Sequence, residues 1–194
     1  MASSAGNHAQ GVAYAAHRFG IPATIVMPKT APIAKAKATE GYGATVVLAG
    51  DCYDDAYAKA CEICEQEHAT FLHPYNDPEV IAGQGTLGLE ILGDLPTADI
   101  VIVPAGGGGL LAGVAACIKQ INPCVQVIGV QAGVVASMYA SRQAGKVTTV
   151  PDAATLADGI HVLTPGSLTF EMCQKYVDEI VTVSEDCLLY TSDA

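Results

Sequence analysis

An α/β protein with parallel sheets is the fold that the sequence predicts, on two observations. Short apolar strands alternate along the chain with longer segments of helical pattern. The strands are rich in β-branched residues and are apolar throughout, without the alternation of a half-exposed strand. Strands of this kind lie in parallel sheets that helices cover on both faces.

The first half of the chain predicts three strands and two helices. The segments ATIVM and ATVVL are the stronger strand patterns, and Pro28 closes the first of them. The second helix begins with Asp54 and Asp55, whose carboxylates favour the positive end of a helix. The predicted strands are 23–27, 44–48 and 70–72, and the predicted helices are 32–41 and 53–68.

The second half repeats the alternation after a predicted turn at residues 75–78. The next helix contains Gly83, Gly85 and Gly88, which weaken it and indicate close packing against a neighbour. Strands are predicted at 99–103 and 125–130 and helices at 78–92 and 110–120, whereas 133–151 is the least regular stretch.

Composition limits the classes of function. The 194 residues are 51% hydrophobic and 15% charged, which is typical of a globular protein with a well-buried core. No apolar run approaches the roughly 20 residues that span a bilayer. The first residues also lack the pattern of a secretory signal. We therefore expect a soluble, cytoplasmic protein with no membrane partner.

Charge and cysteine content also limit the expected partners and the expected compartment. The net charge is −11, and the nine Lys and Arg residues are spread singly, which excludes nucleic acid as the expected partner. Seven cysteines without a regular framework indicate a reducing compartment. Cys61 and Cys64 have the spacing of a redox pair but fall within an amphipathic helical pattern, so we predict no redox or zinc function there.

Four consecutive glycines, Gly106–Gly109, stand between a predicted strand and a predicted helix. The free amides and the dipole at a helix N-terminus favour a phosphate at such a junction. The run is neither a Walker loop nor a dinucleotide fingerprint. A tight turn that needs positive φ is the alternative interpretation.

A second polar motif opens the chain. Ser3, Ser4, Asn7 and His8 offer hydroxyl, amide and imidazole groups beside free backbone amides, a set suited to a carboxylate. The same residues also have the composition of an ordinary helix cap. From the residues alone, both interpretations stay open.

The motifs SSAGNHAQGVA and PAGGGGLLAG, with IVMP and VIAGQGTLGLEI between them, resemble the pyridoxal-phosphate-dependent threonine dehydratases, or threonine ammonia-lyases, of the tryptophan-synthase-β-like fold. TLADGI and VDEIVTVSED extend the resemblance to about residue 186, and VIGVQ favours the catabolic branch. The resemblance implies fold type II, with two Rossmann-like three-layer (αβα) domains and mostly parallel sheets, truncated at both ends. It also implies conversion of L-threonine to 2-oxobutanoate and ammonia; the same chemistry on L-serine would give pyruvate.

Site residues follow from the resemblance by position. The cofactor, pyridoxal 5′-phosphate, would be held at its phosphate by the glycine run and Leu110, at its ring hydroxyl by Asn7, and near its ring by Gly159. The carboxylate of a small amino-acid substrate would lie against Ser4, Ala5, Asn7 and His8. The phosphate-binding residues are Gly106, Gly107, Gly108, Gly109 and Leu110.

The chain departs from the family at both ends. The lysine that attaches the cofactor lies upstream of the serine–asparagine motif in the family, and no lysine here stands in that context, so we expect this chain to be inactive by itself. The ending CLLYTSDA breaks the family pattern and resembles translated adapter sequence. We therefore expect a substrate-closing small domain at 1–76, part of the large cofactor-binding domain at 77–186, and a non-native tail at 187–194.

Two details distinguish this chain from a neighbouring family, the serine racemases. Serine racemases carry a catalytic serine where this chain has Ala5, which favours elimination over racemisation. Their metal site begins with a glutamate where Gln131 stands, and Val135 and Ser137 do not supply ligands, so no metal is expected. The alternatives are a serine racemase or serine dehydratase type of enzyme, or an inert phosphate-binding fragment. For the full-length enzyme we expect a homodimer or homotetramer.

Overall fold

The computed structural model describes residues 1–192, and the chain in it divides into two compact units. The first unit spans Met1–Pro74 and the second begins at Tyr75. Residues 193 and 194, which belong to the expected non-native tail, lie outside the described residues.

The first unit is a three-stranded parallel sheet with a helix after each strand. Its strands lie in the order β1-β2-β3. The elements in chain order are β1 (Ala2–Ser3), α1 (Asn7–Phe19), β2 (Thr24–Met27), α2 (Ile33–Gly41), β3 (Thr45–Leu48) and α3 (Tyr53–Gln66).

Alternation along β2 explains why helices cover both faces of this sheet. Ile25 and Met27 pack in one buried cluster with Ala9 of α1. Val26, between them in sequence, packs in a second cluster with alanines of α3. Successive strand residues point to opposite faces, so each face of β2 has its own helix.

The strand predicted at 70–72 is wrong. Residues 70–72 run alongside Met1, whose ammonium group donates to the Thr70 carbonyl at 2.7 Å and whose carbonyl accepts from Leu72 N at 2.8 Å. Both bonds are made by Met1, which precedes β1, since that strand begins at Ala2. This pairing is too short to form a strand ladder.

The second unit has another three-stranded parallel sheet, in the order β4-β5-β6. Its core is formed by apolar residues of α5 against alternate residues of the strands, such as Leu111 against Val103 and Val127. Its elements are α4 (Pro78–Asp94), β4 (Ile100–Pro104), α5 (Gly109–Ile121), β5 (Gln126–Ala132), α6 (Ser137–Ala144), α7 (Ser167–Tyr176), β6 (Glu179–Val183) and α8 (Glu185–Ser192), with 3-10 turns at Gly133–Val135 and Asp158–Ile160.

Close helix packing accounts for two of the three glycines of α4 for which the sequence predicts it. A Cβ added at Gly85 would lie 3.1 Å from the Gly113 carbonyl oxygen, and one at Gly88 would lie 3.1 Å from Cys117 Cβ. Both partners belong to α5, so the expectation of close packing is confirmed at these positions. Gly83 differs, because a Cβ there would meet nothing within 4 Å.

Helix α6 lies in the stretch that the sequence marked as least regular. Its N-terminus is held from a distance, since Gln131 Oε1 of β5 accepts from Tyr139 N at 2.8 Å. Gly145, in the left-handed conformation, ends it. No helix of the described residues is both long and apolar enough to cross a membrane.

Candidate functional site: a glycine loop with free amides

The glycine loop, Gly106–Gly109, joins the end of β4 to the start of α5. Ala105 N donates to the Val130 carbonyl at 2.9 Å, which fixes the end of the strand, and Ala112 N donates to the Gly108 carbonyl at 2.8 Å in the first turn of α5. Between these two bonds, the amides from Gly106 to Leu110 donate no hydrogen bond within the described residues. Gly107, Gly108 and Gly109 are buried.

Buried amides without acceptors are costly, so this loop has the properties of an anion site. An unpaired buried donor costs about 1–3 kcal/mol. These donors also sit at the positive end of α5, where N-cap Gly108 has no side chain to accept from them. A phosphate, with several acceptor oxygens and negative charge, satisfies both requirements.

Tyr75 explains why two of these glycines have no side chain. A Cβ added at Gly107 would lie 2.5 Å from the Tyr75 ring, and one at Gly109 would lie 2.9 Å from Tyr75 Cβ. The Tyr75 hydroxyl donates to the Thr164 carbonyl at 3.4 Å. The ring therefore supports the back of the loop and leaves no space there for a Cβ.

Helix α7 supports the loop through Thr169. The fully buried Thr169 hydroxyl donates to the Gly107 carbonyl at 2.6 Å, and Gly166 N donates to the same carbonyl at 3.3 Å. With φ of +97°, Gly108 occupies the left-handed region, which disfavours any other residue there. A tight turn that needs positive φ thus accounts for Gly108, where a Cβ would also meet Met138 Cε and Thr169 Cβ, whereas packing alone accounts for Gly107 and Gly109.

Asn76 connects the loop's supports. Its Oδ1 accepts from Leu168 N at 2.9 Å, near the N-terminus of α7, and so holds the helix that carries Thr169. The next residue, Asp77, caps α4 by accepting from Glu79 N at 2.8 Å. The turn predicted at 75–78 is confirmed, and it also supports the glycine loop, a role that its sequence did not indicate.

Gly159 lies in the 3-10 turn Asp158–Ile160 and is exposed. A Cβ there would meet nothing within 4 Å, so packing does not require glycine at this position. The turn packs against the glycine loop at the next residue: a Cβ at Gly106 would lie 3.1 Å from Ile160 Cα. The structure thus brings the segment of Gly159 next to Gly106.

In the first unit, the polar motif lies at the start of α1. Ser4 Oγ accepts from Gly6 N at 3.1 Å, and Ser4 N donates to the Val26 carbonyl at 3.2 Å. Gly6, within the stretch SSAGN, is the N-cap of the helix, although no side chain caps it. The helix-cap interpretation therefore holds for the backbone, and the amides of Asn7 and His8 in the first turn are available to a ligand. Asn7 is exposed, and Ala5 is half-buried.

His8 is held in one orientation by the segment that follows α3. Its Nε2 lies 3.0 Å from the Leu72 carbonyl oxygen. Burial is the largest effect on the pKa of His8 and lowers it, the bond to Leu72 opposes this, and the N-terminal ammonium lowers it further. The imidazole is thus kept neutral, with Nε2 as the donor and Nδ1 as the acceptor.

The remaining candidate residues are buried in the fold, bonded within it or at the surface; Gln131 Nε2 is buried without a partner among the described residues. Gln131 and Val135 are buried, and Ser137 Oγ donates to the Val162 carbonyl at 2.6 Å. Cys61 and Cys64 lie within α3, and Cys64 Sγ donates to the Ala69 carbonyl at 2.7 Å. The lysines are exposed or half-buried; they are Lys29, Lys35, Lys37, Lys59, Lys119, Lys146 and Lys175.

Comparison with known proteins gives these features a context. Residues 1–192 match the model of the family described as pyridoxal-phosphate dependent enzyme. The chain is 57% identical over 186 residues to an L-threonine ammonia-lyase of Thermotoga maritima, covering 96% of this chain and 46% of that protein. It is 55% identical over 186 residues to the catabolic L-threonine dehydratase TdcB of Escherichia coli K12, covering 96% of this chain and 56% of that protein.

A solved structure of maize serine racemase has the same fold. It superposes with a TM-score of 0.95 at 34% identity, covering 99% of this chain and 58% of that one. The α/β arrangement with parallel sheets is therefore that of fold type II enzymes. The chain spans about half the length of the curated relatives it matches.

Proposed function

The chain belongs to the family of pyridoxal-phosphate-dependent enzymes, and on that premise we propose that the whole protein is an L-threonine dehydratase. It would convert L-threonine to 2-oxobutanoate and ammonia, with L-serine as a second substrate. The observation that carries the proposal is the set of buried amides without acceptors in the glycine loop. The substrate is suggested by the names of relatives at 57% and 55% identity.

The glycine loop fits the phosphate of the family's cofactor. Amides of Gly106 to Leu110 would hold that phosphate, and the positive end of α5 would favour its charge. Gly159, without a side chain, would leave room for the cofactor ring. When bound, pyridoxal phosphate supplies the electron sink that lets a proton leave the α-carbon of an amino acid.

The polar motif at the start of α1 would bind the substrate. The amides at this helix N-terminus suit a carboxylate, and Ser4 and Ala5 leave it space. Asn7, exposed at the first position of the helix, would contact the substrate or the ring hydroxyl of the cofactor. His8, held by the Leu72 carbonyl, would present its Nδ1 as a neutral acceptor.

We propose that the 194 residues are inactive by themselves. A lysine that acts as a nucleophile is usually desolvated. No lysine in the described part of the chain is buried, and Lys59 and Lys119 form ion pairs with Glu62 and Asp178 at 2.9 and 2.7 Å. These features support the view that the lysine of the whole protein lies elsewhere.

The setting of the whole protein is also a proposal. Seven free cysteines suit a reducing compartment, so we place the protein in the cytoplasm. For the whole protein we propose the homodimer or homotetramer expected from the family resemblance. Identity to the E. coli catabolic enzyme favours a role in threonine breakdown over isoleucine biosynthesis.

Serine racemisation is the second candidate, because the maize structure superposes over nearly the whole chain. Ala5 argues against it, since an alanine cannot donate a proton to the second face of the α-carbon. Replacing it, as Ala5→Ser, should raise D-serine formation relative to elimination.

Steady-state kinetics of the whole protein test the proposal. With pyridoxal phosphate added, we expect kcat/KM for L-threonine to exceed that for L-serine, measured as 2-oxobutanoate and pyruvate. D-serine should form slowly if at all. Faster conversion of L-serine to D-serine than of L-threonine to 2-oxobutanoate would instead support the racemase.

A further inference from the structure

Glu185, the first residue of α8, binds a segment 30 residues earlier in the chain. Its Oε1 accepts from the Thr155 hydroxyl at 2.8 Å, and its Oε2 accepts from Leu156 N at 2.7 Å. Both oxygens of one half-buried carboxylate are thus used on two consecutive residues. Hydrogen bonds to an ionised carboxylate are stronger than neutral ones.

These two bonds lead directly to the turn that carries Gly159. The Thr155 oxygen also accepts from Ala157 N at 3.1 Å, and the Ala157 carbonyl accepts from Ile160 N at 3.1 Å. The bonds therefore connect Glu185 through Thr155 and Ala157 to the 3-10 turn. The turn in turn meets the glycine loop where Ile160 lies against Gly106.

Other hydrogen bonds hold the residues on either side of the segment that contains Thr155 and the 3-10 turn. Val150 N donates to the Leu163 carbonyl at 3.0 Å, and the Ser137 hydroxyl donates to the Val162 carbonyl at 2.6 Å. These bonds close the base of the segment. The Glu185 bonds instead hold residues 155 and 156, directly before the 3-10 turn.

We propose that Glu185 is a positioning residue for the cofactor site, acting through Thr155 and Leu156 to fix the turn Asp158–Ile160 against the glycine loop. This inference rests on the proposed function. The geometry favours a carboxylate, because the Leu156 amide can only donate and the Thr155 hydroxyl donates in this arrangement. A glutamine could keep the Leu156 bond through its oxygen and accommodate Thr155 with its nitrogen, but both bonds would lose the contribution of the negative charge.

A simpler role must be separated from this one. An acidic residue in the first turn of a helix stabilises the helix through its dipole, and Asp186 stands beside Glu185 in that turn of α8. If Glu185 acts only there, its loss should disturb α8 and leave residues 155–160 unchanged. Asp186, which is exposed, is therefore the matched control.

The experiment compares the whole protein with variants Glu185→Ala, Glu185→Gln, Thr155→Val, Thr155→Ser and Asp186→Ala. Amide hydrogen exchange is measured over residues 153–161 and over α8. We expect exchange at 153–161 to accelerate about ten- to hundredfold in Glu185→Ala and Thr155→Val, as for a lost bond to a charged group. Thr155→Ser, which keeps the hydroxyl, and Asp186→Ala should resemble the parent. Glu185→Gln should be intermediate.

A double variant tests the connection between the two residues. If Glu185 acts through Thr155, adding Thr155→Val to Glu185→Ala should accelerate exchange by much less than the product of the single effects. Full additivity would overturn the proposal. So would acceleration confined to α8, or none at 153–161.

Cofactor titration links the turn to the site. In Glu185→Ala we expect the concentration of pyridoxal phosphate needed for half-maximal activity to rise about tenfold, roughly the effect of one such bond. The KM for L-threonine should stay within about twofold, because the bonds of Glu185 involve none of the residues proposed to bind the substrate. An unchanged cofactor requirement together with rapid exchange would overturn the positioning role. Absence of threonine deamination in the parent would refute the proposed function, while the exchange data would still test the bonds of Glu185.

Discussion

Gly107→Ala tests the glycine loop directly, because its effect can be estimated from one distance. The added Cβ would lie 2.5 Å from the Tyr75 ring, whereas ordinary contacts begin at 3.4 Å. The ring or the loop must therefore move by about 0.9 Å, the difference between the two. Overpacking of this kind costs about 1–3 kcal/mol in the free energy of unfolding.

The same movement would displace the amides proposed to bind a phosphate. Loss of one charged hydrogen bond corresponds to about a ten- to hundredfold weaker affinity. We expect Gly107→Ala to lower the urea midpoint of unfolding and to weaken binding of inorganic phosphate by that factor, measured by calorimetry. Gly83→Ala is the matched control, because its Cβ meets nothing within 4 Å. In that exposed helical position, alanine should stabilise the fold by about 0.5–1 kcal/mol.

A second substitution separates steric from other causes. In the double variant Tyr75→Ala with Gly107→Ala, the ring that causes the clash is gone, so phosphate affinity should recover relative to Gly107→Ala. The reasoning is refuted if Gly107→Ala unfolds at the parent's urea concentration and binds phosphate as tightly. If the double variant binds phosphate much more weakly than Tyr75→Ala alone, Tyr75 is not the obstacle.

Three further substitutions are expected to have defined effects. Ser3→Ala should raise the free energy of unfolding by about 1 kcal/mol, because the buried Ser3 hydroxyl has no partner among the described residues; an equal or lower value in urea melts would contradict this. The pKa of His8 is lowered in the folded state, so the unfolded state binds more protons as the pH falls. The free energy of unfolding should therefore decrease as the pH falls below 6.5, the usual pKa of histidine. In His8→Gln, the melting temperature should change less between pH 7.5 and about 5.5 than it does in the parent. Asp77→Ala should cost about 1 kcal/mol through loss of the α4 cap, whereas Asp77→Asn should cost less in the same melts.

Local patterns predicted the parts of the fold that depend on neighbouring residues. The strand of β4 and the glycines that follow it are contiguous in sequence, so the junction that forms the candidate phosphate site could be located in advance. Apolar runs likewise placed β2, β3 and β5 to within two residues. The prediction of a strand at 70–72 was wrong because the apolar pattern is local, whereas a strand also needs a paired neighbour, and β1 begins only after Met1.

The supports of the site could not be predicted, because they join distant residues. Thr169 reaches Gly107 across 62 positions, and Asn76 reaches Leu168 across 92. Helix α6 was missed for the same reason, since Gln131 caps it from a strand. Nothing in the pattern of residues 75–78 distinguishes a turn that supports a loop from an ordinary one.

The most direct test of the central claim, that the glycine loop holds the cofactor phosphate, is a titration of the chain with pyridoxal phosphate followed by amide resonances. We expect saturable shifts at Gly106 to Leu110, and the same amides should respond to inorganic phosphate. Gly107→Ala should weaken both. Saturable binding that leaves these amides unshifted, or no response at all in a folded chain, would contradict the claim.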